Sequence, residues 1–334
     1  MTDLIVRIDG RAGRLTLNRP TALNALTWDM VREIERALDA WREDDAIDLV
    51  IIDATGAKAF CAGGDIAEMY ASGTAGDYDY GRRFWRDEYR LNAKMAAYPK
   101  PLVSFLQGFT MGGGVGVGCH GSHRIVGEST QIAMPEVGIG LVPDVGGSLI
   151  LARAPGFLGE YLGMTAARMD AGDAIYAGFA DTYMPEDRWE TVKATLCSTG
   201  QTDAIAQASA PAPAAAIKAQ QAQIDAAFSA TTLAALDAAT KDWPAVCKAL
   251  SRPAPLSLAV TLRMIKAVRA APDMRTALDF EFRATGRSMT HGDFLEGIRA
   301  AIIDRDRQPK WQHAAWGDVT EDEIAQMMAP VDWE

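Results

Sequence analysis

Two periods alternate along the first half of the chain. Short apolar runs bounded by turn residues predict strands: "LIVRID" and "RLTLN" flank a "GRAG" turn, and Pro20 closes the second. "DLVIIDAT" from Asp48 and "PLVSFLQG" from Pro101 are apolar almost throughout, the pattern of strands covered on both faces, and "HRIVGEST" is a further strand candidate. A different period runs through "LTWDMVREIERALDAWREDD". Met30, Val31, Ile34, Leu38 and Trp41 fall on one face of a helix that Thr27 can cap. Short strands followed by turns and helices predict an α/β layer architecture over residues 1–200.

The pattern changes near residue 200. Alanine dominates residues 202–240, interrupted by "APAP", and β-branched residues are scarce, which suits helix or linker. From Pro255 the chain reads as helices, "LSLAVTLRMIKAVRAA" and "MRTALDFEFRATGRSM", joined by polar turns. Residues 201–334 are therefore expected to form a helical C-terminal region, and no internal repeat is visible.

Composition narrows the class. The chain has 334 residues, 49% hydrophobic and 23% charged, as in ordinary globular proteins. A net charge of -11 argues against nucleic acid as a partner, because such binding neutralises phosphates with clustered cations. An anionic ligand would need backbone amides or a few placed cations. Cys61, Cys119, Cys197 and Cys247 lack CxxC spacing and read as free thiols in a reducing compartment. The first residues show no basic segment before an apolar run, and no window resembles a membrane span. The expectation is a cytoplasmic protein without a membrane partner.

"GFTMGGGVGVGCHG" places seven glycines among fourteen residues. Within a helix each costs about 1 kcal/mol relative to alanine. One reading is close backbone packing; the other is a strand-to-helix turn whose exposed N–H groups face a developing negative charge. The stretch fits neither GxGxxG nor GxxxxGK[ST]. A second glycine turn, "AFCAGGDI", lies about fifty residues earlier. Two donors from two turns are what an oxyanion hole requires.

"AFCAGGDI", "QGFTMGGGVG" and "AMPEVGIGLVPDVGGS", in that order, resemble the crotonase, or enoyl-CoA hydratase/isomerase, superfamily. The third block and "HGDFLEGIRAAIIDRDRQPKW" are similar to its branch acting on 3-hydroxyisobutyryl-CoA, a thioester hydrolase branch of valine breakdown. The resemblance implies a crotonase-like ββα spiral with a helical C-terminal region. It implies that the N–H groups of Gly64 and Gly113 form the oxyanion hole. The loop of Gly63, Gly64, Asp65 and Ile66 would lie along the pantetheine arm of coenzyme A. Glu136 would be the catalytic carboxylate, as nucleophile or as general base on water. Asp144 would be the second polar group of the hydrolase branch, and Glu88 an acid at the substrate pocket. Coenzyme A belongs to the substrate, so no separate cofactor and no metal are implied; a homo-oligomer is compatible with the family.

One departure bears on the reaction. Hydratases of this superfamily carry a second glutamate where this chain has Gly116, which disfavours addition of water to a double bond. Enoyl-CoA hydration or isomerisation, and acyl-CoA binding with little turnover, are the alternatives. His120 and His123 have a metal-like spacing but no third ligand nearby, and no motif places a histidine to activate Cys61 or Cys119. Arg299, Arg305 and Arg307 suit either phosphate contacts or a salt-bridged surface helix.

Overall fold

The structure is a computed structural model and describes residues 2–333. The chain runs β1 (Leu4–Asp9), β2 (Ala12–Leu17), α1 (Trp28–Arg42), β3 (Leu49–Ala54), β4 (Ala59–Cys61), α2 (Ala67–Thr74), α3 (Asp79–Ala96), β5 (Leu102–Phe105), β6 (Phe109–Met111), α4 (Gly113–Gly118), β7 (His123–Val126), β8 (Gln131–Ala133) and α5 (Gly147–Arg153). After two further helices comes β9 (Thr182–Tyr183), and the elements beyond it are helical.

Local sequence accounts for the early elements. β1 and β2 pair antiparallel, with Leu4 opposite Leu17 and Asp9 opposite Ala12. In α1 the Thr27 side chain accepts the Met30 N–H at 3.2 Å, and the expected face of Met30, Val31, Ile34, Leu38 and Trp41 is buried. Every residue of β3 except Ala54 is buried. The large sheet has the order β1-β2-β3-β5-β7-β9, and β4, β6 and β8 form a second, parallel sheet. The pairs β3/β4, β5/β6 and β7/β8 thus each send their first strand to the large sheet and their second to the small one. A helix follows each pair, which is the ββα repeat.

The chain divides into two compact units. Met1–Gly64, Arg90–Ala133 and Arg168–Lys218 make one; Asp65–Tyr89, Met134–Ala167 and Ala219–Glu334 make the other. All nine strands belong to the first, whose core joins Leu49, Ile51, Val103, Phe105 and Ile125 of the sheet to Trp189, Val192 and Leu196 of a helix. The second is helical and draws on the middle of the chain as well as on its last third. Its central helix, Pro255–Ala270, is buried around most of its circumference, so it reads as apolar nearly throughout. Among the described residues no helix is long and apolar enough to cross a membrane, and no His, Cys, Asp and Glu group is arranged to hold a metal ion.

Candidate active site

The two glycine turns leave neighbouring strands at one level. β4 and β6 run parallel with Cys61 opposite Thr110, so Gly64 and Gly113 each lie three residues past a registered pair. Gly113 opens α4, and the N–H of a first helical residue has no partner within its helix. Gly112 before it takes φ 50° and ψ -121°, a conformation side chains disfavour. On the β4 side, Leu26 donates to the Gly63 carbonyl at 2.9 Å, a bond that does not use the Gly64 amide. The later glycines serve packing: a Cβ on Gly114 would run into the Cys61 carbonyl oxygen, and Gly118 is pressed on Phe60 and Leu106. Gly116 is buried within α4.

The acids belong to the helical unit. β8 ends at Ala133, and the chain then turns through a short 3-10 segment, Glu136–Ile139, with Glu136 and Val137 buried. The helix Phe294–Ile298 backs this segment so closely that a Cβ on Gly297 would strike the Ile139 carbonyl. The "FLEGI" block therefore supports the turn that carries Glu136. Asp144 follows on the turn into α5, and Glu88 projects from α3.

Glu88, Glu136 and Asp144 are brought together, and a fourth acid, Glu281 of the helix Met274–His291, joins them. Their exposures are 3%, 5%, 4% and 0%. None has a cation against it among the described residues. Burial pushes the Glu136 carboxyl well above the usual range, with Asp144, Glu281 and Glu88 adding to the rise. Glu88 is raised in the same way, by burial first and then by Asp144 and Glu281. Asp144 is pushed up to about 7 by burial, against the hydrogen bond that the Tyr89 hydroxyl donates to its Oδ2 at 2.8 Å. Burial takes Glu281 to about 8, although it accepts the Gly146 N–H at 2.7 Å, the Ser148 N–H at 3.0 Å and the Ser148 hydroxyl. Glu136 Oε2 and Glu88 Oε1 are buried without a hydrogen-bond partner. Shared burial leaves these groups holding protons at neutral pH that isolated carboxyls would release.

Sequence reasoning missed Tyr89 and Glu281. Glu281 had a readable signal: Ala277, Leu278, Glu281, Ala284, Thr285 and Ser288 follow helical spacing, and all are buried. A glutamate in that stripe marks a buried acid. Cys61 Sγ donates to the Gly63 carbonyl at 3.5 Å, and burial pushes the Cys119 thiol up to about 12, far from a ready nucleophile. His123 Nδ1 is 2.9 Å from the Ser122 hydroxyl. Arg299 is engaged by Glu296, Asp304 and Asp306 at 2.8, 2.6 and 2.8 Å, as a salt-bridged surface arrangement requires. Asp65 and Ile66 stand immediately before α2, and Gly63 takes φ 123°.

Comparison with known proteins places this arrangement. The 3-hydroxyisobutyryl-CoA hydrolase 1 of Arabidopsis thaliana is 38% identical over 342 residues, spanning 96% of this chain and 89% of that one. The mitochondrial 3-hydroxyisobutyryl-CoA hydrolase of Danio rerio is 36% identical, with 97% and 88% covered. The crystal structure of an enoyl-CoA hydratase from Rhodobacter sphaeroides 2.4.1 superposes with a TM-score of 0.94 at 51% identity, covering 99% of this chain and 98% of that one. A carnitinyl-CoA dehydratase from Mycobacterium thermoresistibile reaches the same TM-score of 0.94 at 41% identity, with 99% and 98% covered. The enoyl-CoA hydratase/isomerase family model matches residues 12–328. The α/β fold is that of the crotonases, and the chain belongs to the enoyl-CoA hydratase/isomerase family.

Proposed function

We propose that this protein hydrolyses a short branched β-hydroxyacyl-CoA thioester, 3-hydroxyisobutyryl-CoA, to the free acid and coenzyme A, as a step of valine breakdown. The observation that carries the reading is the asymmetry of the acids. Glu136 is buried with a free oxygen, whereas position 116, where a hydratase needs its second acid, is a buried glycine. Adding water across a double bond uses two acids in concert; opening a thioester does not. The names of the Arabidopsis and Danio relatives support the same substrate.

In this reading the amides of Gly64 and Gly113 take the negative charge that grows on the thioester oxygen. One such donor is worth about 2.7 to 4 kcal/mol, or roughly a hundredfold to a thousandfold in rate. Glu136 acts either as nucleophile, forming an anhydride and releasing the thiolate of coenzyme A, or as general base on a water that attacks directly. Its raised pKa brings a carboxylate closer to the basicity that proton removal at neutral pH demands. Asp144 holds the β-hydroxyl or the water, Glu88 positions the acyl group, and the loop of residues 63–66 lies along the pantetheine. The free cysteines Cys61, Cys119, Cys197 and Cys247 suit a reducing compartment such as the cytoplasm.

The second reading, enoyl-CoA hydration, is favoured by the names of the two solved structures. One experiment separates the two: thiol release from 3-hydroxyisobutyryl-CoA and hydration of crotonyl-CoA, each with the wild type and Glu136→Gln. The expected outcome is thiol release that drops by about a thousandfold or more in the variant, with crotonyl-CoA unchanged throughout. Hydration without thiol release would overturn the proposal. Tight acyl-CoA binding without either reaction would make the protein a binder.

A further inference from the structure

We infer that Glu281 is a positioning residue for Asp144, holding from outside the strained turn on which Asp144 stands. The inference rests on the hydrolase reading for the use made of Asp144, and on geometry for the hold itself. Directly after Asp144 the backbone passes through two left-handed residues, Val145 at φ 56° and Gly146 at φ 75°. Glycine takes that region freely, but a β-branched residue is strained there and persists only where its surroundings enforce it. The Gly147 N–H donates to the Asp144 carbonyl at 2.7 Å and closes the turn from within.

The enforcement comes from a helix far along the chain. Glu281 Oε2 accepts the Gly146 N–H, and Oε1 accepts both the N–H and the hydroxyl of Ser148. Three donors converge on two oxygens, so the partner must accept at both of its terminal atoms. Glutamine cannot, because its amide would aim an N–H at one of the donors. One turn further along the same helix, Thr285 Oγ1 lies 3.2 Å from the Tyr89 hydroxyl that donates to Asp144. The helix Met274–His291 therefore holds the turn two and four residues past Asp144 and stands against the tyrosine that binds its carboxylate. A fully buried acid without a cation is a costly means of pinning an ordinary loop, and an acceptable one where a reacting carboxyl must be placed to a fraction of an ångström.

Glu281→Gln tests the hold. The variant is expected to lose about tenfold to a hundredfold in kcat for thiol release while KM changes less than about threefold, since displacing a reacting group by an ångström costs on that order. The acid limb of its pH–rate profile moves to lower pH, because one of the acids raising Glu136 has gone. Its crystal structure shows residues 144–147 displaced. Wild-type kcat with the turn in place would overturn the inference, as would a loss matched by the unfolded fraction alone. Should Glu281→Gln not fold, Ser148→Ala, which removes one of the three donors, decides in the same terms: a lowered kcat with unchanged melting supports the hold, and an unchanged kcat overturns it. If the wild type cleaves no thioester, the hydrolase reading has failed by itself, and the position of residues 144–147 in Glu281→Gln alone decides the hold.

Discussion

Two groups of buried acids, one in each unit, are held in opposite ways. In the strand-bearing unit, Asp53 of β3 is 4% exposed, and its carboxylate meets Arg14 at 2.6 Å, Lys193 at 3.1 Å and the Thr16 hydroxyl at 2.6 Å. Burial pushes its pKa up, but Lys193, Thr16 and Arg14 together hold it below the usual range. In the helical unit, Glu88, Glu136, Asp144 and Glu281 are buried without such compensation and all are raised. A buried charge that serves structure is neutralised by what surrounds it. Four acids left to share protons have the character of a reactive site, and the contrast separates the two arrangements without reference to any motif.

The sharpest test of the contrast is at its structural end. Asp53→Ala leaves Arg14 and Lys193, 13% and 9% exposed, with only the more exposed Asp9 and Glu190 as partners, and should cost about 3 kcal/mol in denaturant titration while turnover per folded molecule is unchanged. A harmless substitution would break the comparison. Next comes Asp144→Asn, which keeps the shape and removes a charge that the site holds at a cost. It should lower kcat by about a hundredfold, or roughly 2.7 kcal/mol, with melting unchanged or higher. A variant that melts early but turns over normally would move Asp144 to the structural side.

The most gradual effect is on pH. Asp144 and Glu281 are raised on folding to about 7 and about 8, so their neutral forms favour the folded state. That contribution is fully present below the ordinary carboxyl range and is lost as pH rises through 7 and 8. Asp53 is lowered on folding, so its contribution holds above its unfolded pKa and disappears as pH falls through its folded value. Melting measured from pH 5 to pH 9 should therefore fall toward the alkaline end, more shallowly in Asp144→Asn. A flat alkaline limb in the wild type would mean that these acids are compensated after all.

The sequence and the structure agree best where information is local. The hairpin of β1 and β2, the capped helix α1 and the buried strand β3 follow from period and turn residues within a few positions. The small sheet does not, because β4, β6 and β8 are three residues each, too short for any period to show. At the site, Glu136 and Asp144 sit eight residues apart in one recognisable block and could be singled out together. Glu281 could not be joined to them, since the bonds that tie it to the turn cross 133 and 135 positions of sequence. A single chain read without relatives holds no record of such pairing, beyond a polar residue in a stripe of small and apolar ones.

Those long separations also set a timetable for the protein's birth. Tyr89 and Thr285 are 196 residues apart, and at about 5 to 20 residues per second a ribosome needs on the order of ten to forty seconds between them. For most of that interval α3, with Glu88 and Tyr89, is present before the helix that packs against them exists. The nascent chain must carry an unfinished, solvent-open site through most of its synthesis, which is when a chaperone would find it.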